Sequence, residues 1–512
     1  MVWFTWALEM MTLKKNNKII KYAISILLIL FPFIDILRVT KLKEVEIFNI
    51  ALIELINIIL ILISFSLTIY NNHKYKKNII NKPKIIYIIV LFIYLILHSI
   101  NIYNFNINIY DKASFNFFVE IYYIFRVYLL PIMFIYVLLN NKDIFDQEYY
   151  LKYTKCMIFI ISGSIVILNL FGFSYSSYAD SSNPYLINHA NFFDAFKYTK
   201  NFKELFTCGL FPSANQISII LVMLLPINLY NMYLKNNKTN AFLVLLQIFS
   251  MIIVGTKTAA LGSLIIAISC LLMYLFFSII NKKIDKKYFL NYLFIIIISI
   301  FLIAISPFNQ MVKEKKLFST NIPNNQNEKY KEVYDNLKLL KSNEEKNKYI
   351  VKYSGVFKID KIFFEMYPIE KDTDFWFKIA NRNSNLNNNY RVMKMDIIDR
   401  IKERNNNKYD KYLGLGYTLN FMDIERDYVY QYYLFGYLGF IILVGVYIYI
   451  YILNLKEVLK KKNFTYSKCL VLVSGFFGLI LCYFSGHLFG WVSPMLILAF
   501  VLSIERRIIY ES

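Results

Sequence analysis

Apolar residues recur along the chain in runs of about 20, separated by polar segments. A helix of about 20 residues crosses the hydrocarbon layer of a bilayer. Because a backbone in lipid must satisfy its own hydrogen bonds, we expect these runs to be helices. The pattern predicts about twelve transmembrane helices, at residues 19–38, 46–70, 85–104, 118–140, 152–172, 212–232, 241–256, 258–280, 288–308, 428–453, 467–485 and 488–505.

One long polar segment, residues 309–427, interrupts the apolar pattern. We expect three parts: an N-terminal membrane bundle (1–308) of about nine helices, a loop domain (309–427), and about three C-terminal membrane helices (428–512). Within the loop domain, Tyr330, Val333, Tyr334 and Leu337 have the spacing of one helical face. We expect a second helix of the loop domain at residues 392–401.

The lysines are concentrated in short loops between alternate predicted spans, such as 71–84, 281–287 and 456–468. Basic loops mark the cytoplasmic side of a membrane. The distribution therefore predicts that both termini are cytoplasmic and that the loops 309–427 and 174–207 are extracytoplasmic.

Composition excludes several classes of protein. The chain is 57% hydrophobic, too apolar for a soluble protein of 512 residues. The net charge of +22 lies mainly beside the spans. We therefore expect the basic residues to lie beside a lipid bilayer, and we expect no nucleic-acid partner. Five cysteines without a C-x-x-C pair and only four histidines predict no disulfide framework, no metal site and no cofactor.

Ionisable residues in or beside predicted spans are costly and often functional. Six of them are candidates for the site, and on the predicted topology these six lie toward the outer side: Asp35, His98, Glu120, Arg126, Lys257 and His487. Each also has a structural interpretation. Lys257 and His487 are at tight turns, and Asp35 and His98 are at helix ends. Glu120 and Arg126 are six residues apart, so each needs another partner.

Four segments carry a resemblance to a known family. They are Phe31-Pro32-Phe33-Ile34-Asp35, Gly209-Leu210-Phe211-Pro212-Ser213-Ala214-Asn215, Gly255-Thr256-Lys257-Thr258-Ala259-Ala260, and Leu413-Gly414-Leu415-Gly416-Tyr417 followed by Glu425-Arg426-Asp427. Their order around one large loop resembles the bacterial O-antigen ligase and Wzy-type polymerase superfamily. The resemblance implies an all-α polytopic, GT-C-like membrane protein that acts on a glycan carried by undecaprenyl diphosphate.

The resemblance also implies roles for residues. Lys257 stands where the family usually has an arginine, and Arg391 matches an arginine upstream of the loop's Gly-x-Gly. With Arg126 and Arg426, these cations are expected to bind the diphosphate. Glu425 or Asp427 is expected to be the catalytic base, with His487 as an alternative. An acidic N-terminus of the next span explains Glu425 and Asp427 equally well.

The carboxylates at 425 and 427, where ligases have a histidine, favour a polymerase. The expected function is metal-independent polymerisation of lipid-linked repeat units at the outer face of the bacterial cytoplasmic (inner) membrane. A flippase and a chain-length regulator are the expected protein partners. A ligase that moves the finished glycan to another acceptor is the nearest alternative. A flippase of lipid-linked sugar is a second alternative, although the sequence shows no repeated halves.

Overall fold

Helices dominate a computed structural model of the chain, which describes residues 2–39, 46–47, 50–74, 82–178, 187–189, 191–196, 205–306, 328–421, 424–484, 486 and 488–511. The membrane-type helices of the N-terminal part are α1 Val2–Val39, α2 Leu52–Lys74, α3 Lys82–Tyr103, α4 Phe117–Asn140, α5 Gln147–Leu170, α6 Ala214–Leu234, α7 Lys238–Val254, α8 Lys257–Ile280 and α9 Lys286–Ile305.

The predicted loop domain contains short helices: α10 Glu328–Leu339, α11 Asn343–Lys352, α12 Ser354–Phe357, α13 Lys361–Met366, α14 Thr373–Asn381, α15 Ser384–Asn387, α16 Tyr390–Asn405 and α17 Asp410–Leu413. Three long helices follow: α18 Asp427–Val458, α19 Tyr466–Phe484 and α20 Val492–Glu511. The described strands form two short antiparallel pairs, β1 Glu46–Ile47 with β2 Ile50–Ala51 and β3 Ser174–Tyr175 with β4 Ile187–Asn188.

Each predicted span coincides largely with one of these long helices. In the described part of the chain, nine helices are long and apolar enough to cross a membrane, and α7 is apolar but only 17 residues long. The prediction of an all-α polytopic membrane protein is therefore confirmed. The helices predicted inside the polar segment are also confirmed, as α10 and α16, and Tyr334 and Leu337 are buried.

The backbone divides into two compact units. The first consists of Met1–Ile86, Ile124–Met311 and Val444–Ser512, and the second of Tyr87–Tyr123 and Val312–Leu443. The second unit thus combines the predicted loop domain with parts of α3, α4 and α18.

The first unit is built around α6. Of its most apolar window, 89% is buried, compared with 17% for α9, so α6 is the central helix and α9 is peripheral. Helices α7, α8, α19 and α20 pack against α6. Asn228 of α6 donates to the Gln247 side chain of α7 (2.8 Å), and Gln247 donates to the Leu221 carbonyl (2.9 Å). Such side-chain bonds join helices where apolar contact alone gives little preference for one partner.

The loop helices of the second unit have their own core. Phe357, Phe363, Trp376 and Ile397 are fully buried. A carboxylate joins two of the helices: Asp372 caps α14 by accepting from the Phe375 N–H (3.1 Å).

The Arg400 guanidinium of α16 also binds Asp372, through Nε (2.7 Å) and Nη2 (3.2 Å). Burial alone would raise the pKa of Asp372, but the bonds from Arg400 and the Phe375 N–H hold that pKa below its usual value. A depressed pKa in the folded state contributes stability above the ordinary carboxyl value of 3.8. That contribution is lost as the pH falls through the lower, folded-state pKa.

We predict that Asp372→Asn destabilises the chain by about 1–3 kcal/mol at pH 7, because the cap and an ion pair are both weakened. The variant should also lose less stability than the parent on acidification below about pH 4, since it has no carboxylate to protonate. Thermal unfolding of the detergent-solubilised full chain across pH measures both effects. Asp374→Asn, an exposed carboxylate two residues away, is the matched control and should behave like the parent. Identical acid profiles for parent and Asp372→Asn would contradict the prediction.

Candidate functional site

The Gly-rich turn 413–418 is fixed to the first half of α18 by its backbone. The N–H groups of Leu415 and Gly416 donate to the carbonyls of Tyr433 (2.9 Å) and Leu434 (2.8 Å). Helix α18 breaks at Gly436, which has a non-helical backbone (φ 66°, ψ −175°). In a regular helix each carbonyl accepts a hydrogen bond from the N–H group four residues later. The break at Gly436 interrupts this pattern, so that carbonyls of the preceding turn can accept from the Gly-rich turn instead.

Two glycines allow the two backbones to approach this closely. A Cβ on Gly414 (φ 81°) would lie 2.1 Å from the Leu434 carbonyl oxygen. A Cβ on Gly436 would lie 2.3 Å from the Tyr412 carbonyl carbon. The close contact between the two backbones therefore requires glycine at both positions.

Two side chains that the sequence singled out hold the same turn. His98 of α3 contacts the Leu413 carbonyl through Nδ1 (2.6 Å) and Glu120 of α4 through Nε2 (3.0 Å). Glu120 also accepts from the N–H groups of Tyr417 (3.0 Å) and Thr418 (2.9 Å). The side chains of His98 and Glu120 are completely buried. Both therefore stabilise the turn, which agrees with the structural interpretation of His98.

The contacts define how protons are distributed in this pair. A carbonyl only accepts, so the Nδ1 of His98 carries a hydrogen. One further proton lies between Nε2 and the Glu120 carboxyl, and the pair is neutral overall whichever atom holds it. Neutrality makes the burial of two ionisable groups tolerable.

Asn101 and Asp410 complete the support of the turn. The Asn101 amide donates to the Gly414 carbonyl (2.8 Å) and to Asp410 Oδ1 (3.0 Å), and Asn405 donates to Asp410 Oδ2 (2.7 Å). Burial raises the pKa of Asp410, and the two amides oppose that rise. Sequence reasoning missed Asn101 and Asp410, because an asparagine in a span and an aspartate in a loop are both common.

Arg391 and Glu425 are brought together by the fold, although 34 residues separate them. Both Nε (3.1 Å) and Nη2 (2.7 Å) of Arg391 donate to Oε2 of Glu425. The side chains are 36% and 42% exposed, so this pair is accessible from solvent. Asn389 positions Arg391 by capping α16, since its side chain accepts from the N–H groups of residues 391 and 392.

Arg426 and Asp427 form the start of α18. Arg426 is the N-cap residue, and Asp427 is the first residue of the helix. Asp427 is only 3% exposed. A buried carboxylate in the first turn stabilises the positive end of a helix dipole, which supports the structural interpretation of Asp427.

Arg126 lies in a π-helical turn, Phe125–Leu129, within α4. Pro131 follows this turn and has no N–H to continue the ordinary hydrogen-bond pattern. The Tyr447 hydroxyl donates to the Tyr128 carbonyl inside the widened turn (2.6 Å). The Arg126 guanidinium pairs with Glu54 of α2 (3.1 Å), and the two side chains are 14% and 7% exposed.

The partners that the sequence required for Glu120 and Arg126 are therefore His98 and Glu54. Sequence reasoning missed Glu54. The signal was available, because Glu54 is a carboxylate inside a predicted span.

Lys257 is the first residue of α8, directly after its N-cap, Thr256. Gly255 ends α7 in the left-handed conformation (φ 68°), and the Tyr178 hydroxyl donates to its carbonyl (3.0 Å). The Lys257 side chain is exposed. Within the described ranges its ammonium has no ion-pair or hydrogen-bond partner. An ammonium at the N-terminus of a helix, where the helix dipole is positive, is suited to an anion.

The remaining predicted site residue, His487, lies outside the described residues, and so do parts of the loops 174–207 and 309–427. The side chain of Asp35 on α1 is also outside them. Where the structure describes the chain, no group of three or more His, Cys, Asp or Glu side chains is arranged to hold a metal ion.

We predict that Glu120→Gln destabilises the chain by about 3–5 kcal/mol, because the amide presents a hydrogen to a backbone N–H and leaves His98 without its ionic partner. Thermal unfolding of the full chain in detergent measures the loss. Glu344→Gln is the matched control: that carboxylate pairs with Lys348 (2.6 Å) on the surface, where both side chains are more than three-quarters exposed, and we expect no measurable change. Equal melting temperatures for Glu120→Gln and the control would contradict the assigned role.

Comparison with known proteins identifies a family. A family model described as O-antigen ligase like membrane protein matches residues 17–509, which include nearly all of both units. No curated protein and no solved structure matches the chain significantly. The resemblance carried by the sequence motifs is thus confirmed at the level of the family. The chain belongs to the O-antigen ligase-like membrane protein family, whose members are multi-pass proteins that handle lipid-linked glycan by glycosyltransferase-type chemistry.

Proposed function

We propose that the protein polymerises oligosaccharide repeat units carried on undecaprenyl diphosphate, at the outer face of the bacterial cytoplasmic membrane. The observation that carries the proposal is the accessible Arg391–Glu425 pair at the end of the loop domain. It places a cation and a carboxylate together in the segment where the family resemblance puts the catalytic residues.

In the proposed reaction, a sugar hydroxyl of one lipid-linked repeat unit attacks the anomeric carbon of the glycan on a second carrier. The new glycosidic C–O bond forms as the C–O bond to the diphosphate breaks. Glu425 accepts the hydroxyl proton, and undecaprenyl diphosphate leaves with the bonding electrons. The protein's cations stabilise the negative charge that develops on the leaving group, without a metal ion.

Accessibility favours Glu425 over Asp427 as the base. A general base must come within hydrogen-bond distance of the substrate hydroxyl. Glu425 is 42% exposed, whereas Asp427 is 3% exposed. Arg391 contacts one carboxylate oxygen of Glu425 through two nitrogens, and this contact fixes the orientation of the carboxylate.

Four cations are proposed to bind the diphosphate: Arg126, Lys257, Arg391 and Arg426. Lys257 is the most available of them, because its ammonium is exposed and unpaired within the described ranges. Arg126 is already neutralised by Glu54. A phosphate at Arg126 therefore has to share the guanidinium with that carboxylate.

The choice of a polymerase over a ligase rests on the carboxylates at 425 and 427, since the resemblance gives ligases a histidine at this place. Both activities use the same donor, and they differ in the acceptor and in the length of the glycan that is moved. We expect the polymerase to work with a flippase that supplies its substrate and with a chain-length regulator.

We predict that residues 328–421 face the exterior and that both termini are cytoplasmic, because basic loops remain on the cytoplasmic side. A truncation fused to alkaline phosphatase after Asn406 should show phosphatase activity, and a fusion after Lys283 should show none. Green fluorescent protein at the same positions should give the opposite pattern. Fluorescence at 406 and phosphatase activity at 283 would remove the basis of the proposal.

We predict that Glu425→Gln lowers polymer formation by about 10²–10⁴-fold, the range expected for loss of a general base. Arg391→Ala should also abolish long chains, and Arg391→Lys should restore only part of the activity, because lysine cannot donate two hydrogen bonds in a fixed plane. Gel analysis of surface polysaccharide and of extracted lipid-linked glycan in the variant strains measures these effects. Single repeat units on the carrier support a polymerase, whereas long chains that remain on the carrier indicate a ligase.

The matched control is Asp111→Asn. Asp111 is also an exposed carboxylate of the second unit, paired with Lys371 (3.1 Å). This variant should make full-length polysaccharide. Normal polymer in Glu425→Gln at parental expression would exclude Glu425 as the base.

A further inference from the structure

A cavity of about 260 Å³, with both polar and apolar groups in its wall, lies beside the N-terminus of α16. Its wall includes Ser354, Gly355, Lys358, Asp360, Asn388 and Tyr390. Tyr390 directly precedes Arg391 of the proposed catalytic pair. The cavity therefore adjoins the segment that carries the proposed chemistry, and the proposed function does not use it.

One side of the cavity is a fixed aromatic ring. Tyr390 packs against Phe363 with ring centroids 4.9 Å apart, and its hydroxyl donates to the Asp360 carboxylate. Asp360 is itself fixed as the N-cap of α13, since it accepts from the Ile362 N–H (3.1 Å). Tyr390 remains 45% exposed. Part of a rigidly held ring is thus available to a ligand.

Other polar groups of the wall are available. Lys358 ends α12 in the left-handed conformation (φ 59°), an unfavourable backbone for a residue other than glycine or asparagine. Within the described part of the chain, neither its ammonium nor the side-chain amide of Asn388 has a hydrogen-bond or ion-pair partner. Gly355 leaves open space, since a Cβ built on it would have no atom within 4 Å beyond its chain neighbours and the backbone of its own helix.

We propose that this cavity binds one sugar ring of the lipid-linked glycan, an inference that rests on the proposed function. A sugar ring presents hydroxyl groups that both donate and accept, together with an apolar C–H face. The wall offers a cationic donor, a carboxylate acceptor, an amide that does both, and an aromatic face. Asp360 opposes an isolated anion such as phosphate, and the volume is too small for a long chain. The repeat unit is common to donor and acceptor, so the cavity selects the sugar and not the carrier.

The test uses the full chain in nanodiscs and two probes. One probe is the oligosaccharide released by mild acid from lipid-linked repeat units of a strain that lacks this protein. The other is undecaprenyl diphosphate without sugar. Gly355→Trp fills the open space, and Lys358→Gly removes the ammonium while relieving the left-handed backbone. Lys282→Gly is the matched control, because Lys282 is also left-handed (φ 50°) but lies in the turn before α9.

We expect Gly355→Trp to weaken oligosaccharide binding at least about tenfold, and Lys358→Gly to weaken it about tenfold, since a charged hydrogen bond is lost. Both should bind undecaprenyl diphosphate like the parent. Lys358→Gly and Lys282→Gly should each melt no lower than the parent, and Lys282→Gly should bind both probes normally.

Two results overturn the proposal in different ways. Parental oligosaccharide affinity in folded Gly355→Trp would exclude this cavity and leave the proposed function intact. A parent that binds neither probe would exclude both the sugar site and the proposed function.

Discussion

The second unit depends on the hydrogen bonds of the turn 413–418. Leu413 and Gly414 use their carbonyls to bind His98 and Asn101, and the next four residues use their N–H groups to bind α18 and Glu120. An unpaired backbone group in this buried position would cost about 1–3 kcal/mol. The turn is therefore a junction at which three helices and the end of the loop domain are fixed together.

The described ion pairs differ in how far their side chains are exposed to solvent. This difference distinguishes pairs that stabilise the fold from a pair that a substrate can reach. His98–Glu120 is inaccessible, and Arg126–Glu54 is nearly so. Asp372 is 6% exposed and joins loop helices through Arg400. Arg391 and Glu425 form an ion pair at a motif position, and both side chains are more than one third exposed. A charge pair that is to exchange partners with a substrate has to be accessible, whereas a buried pair is held by the cost of separating it.

Much of the fold could be predicted from the sequence, because lipid imposes length and apolarity on each span. The spanning helices follow from the length of the apolar runs, and the loop helices α10 and α16 follow from the local pattern of apolar residues. The need for partners at Glu120 and Arg126 was also predictable, since a single buried charge is too costly. The identity of the partners was not, because His98 and Glu54 are 22 and 72 residues away in the chain. Tertiary packing brings them together. The meeting of Arg391 with Glu425 and the cavity at Tyr390 depend in the same way on how short loop helices pack, for which the sequence carries no periodic signal.

The separation between Glu120 and its backbone partners has a consequence for biosynthesis. Tyr417 is 297 residues downstream, roughly 15–60 s of synthesis at about 5–20 residues per second. During that interval α4 is already made, and two of the three groups that bind its carboxylate do not yet exist. His98, only 22 residues upstream, is present from the start. Because the histidine–glutamate pair is neutral, α4 can enter the bilayer with its buried carboxyl group before the turn has been made. The N–H groups of Tyr417 and Thr418 can then bind a carboxyl group that His98 already orients.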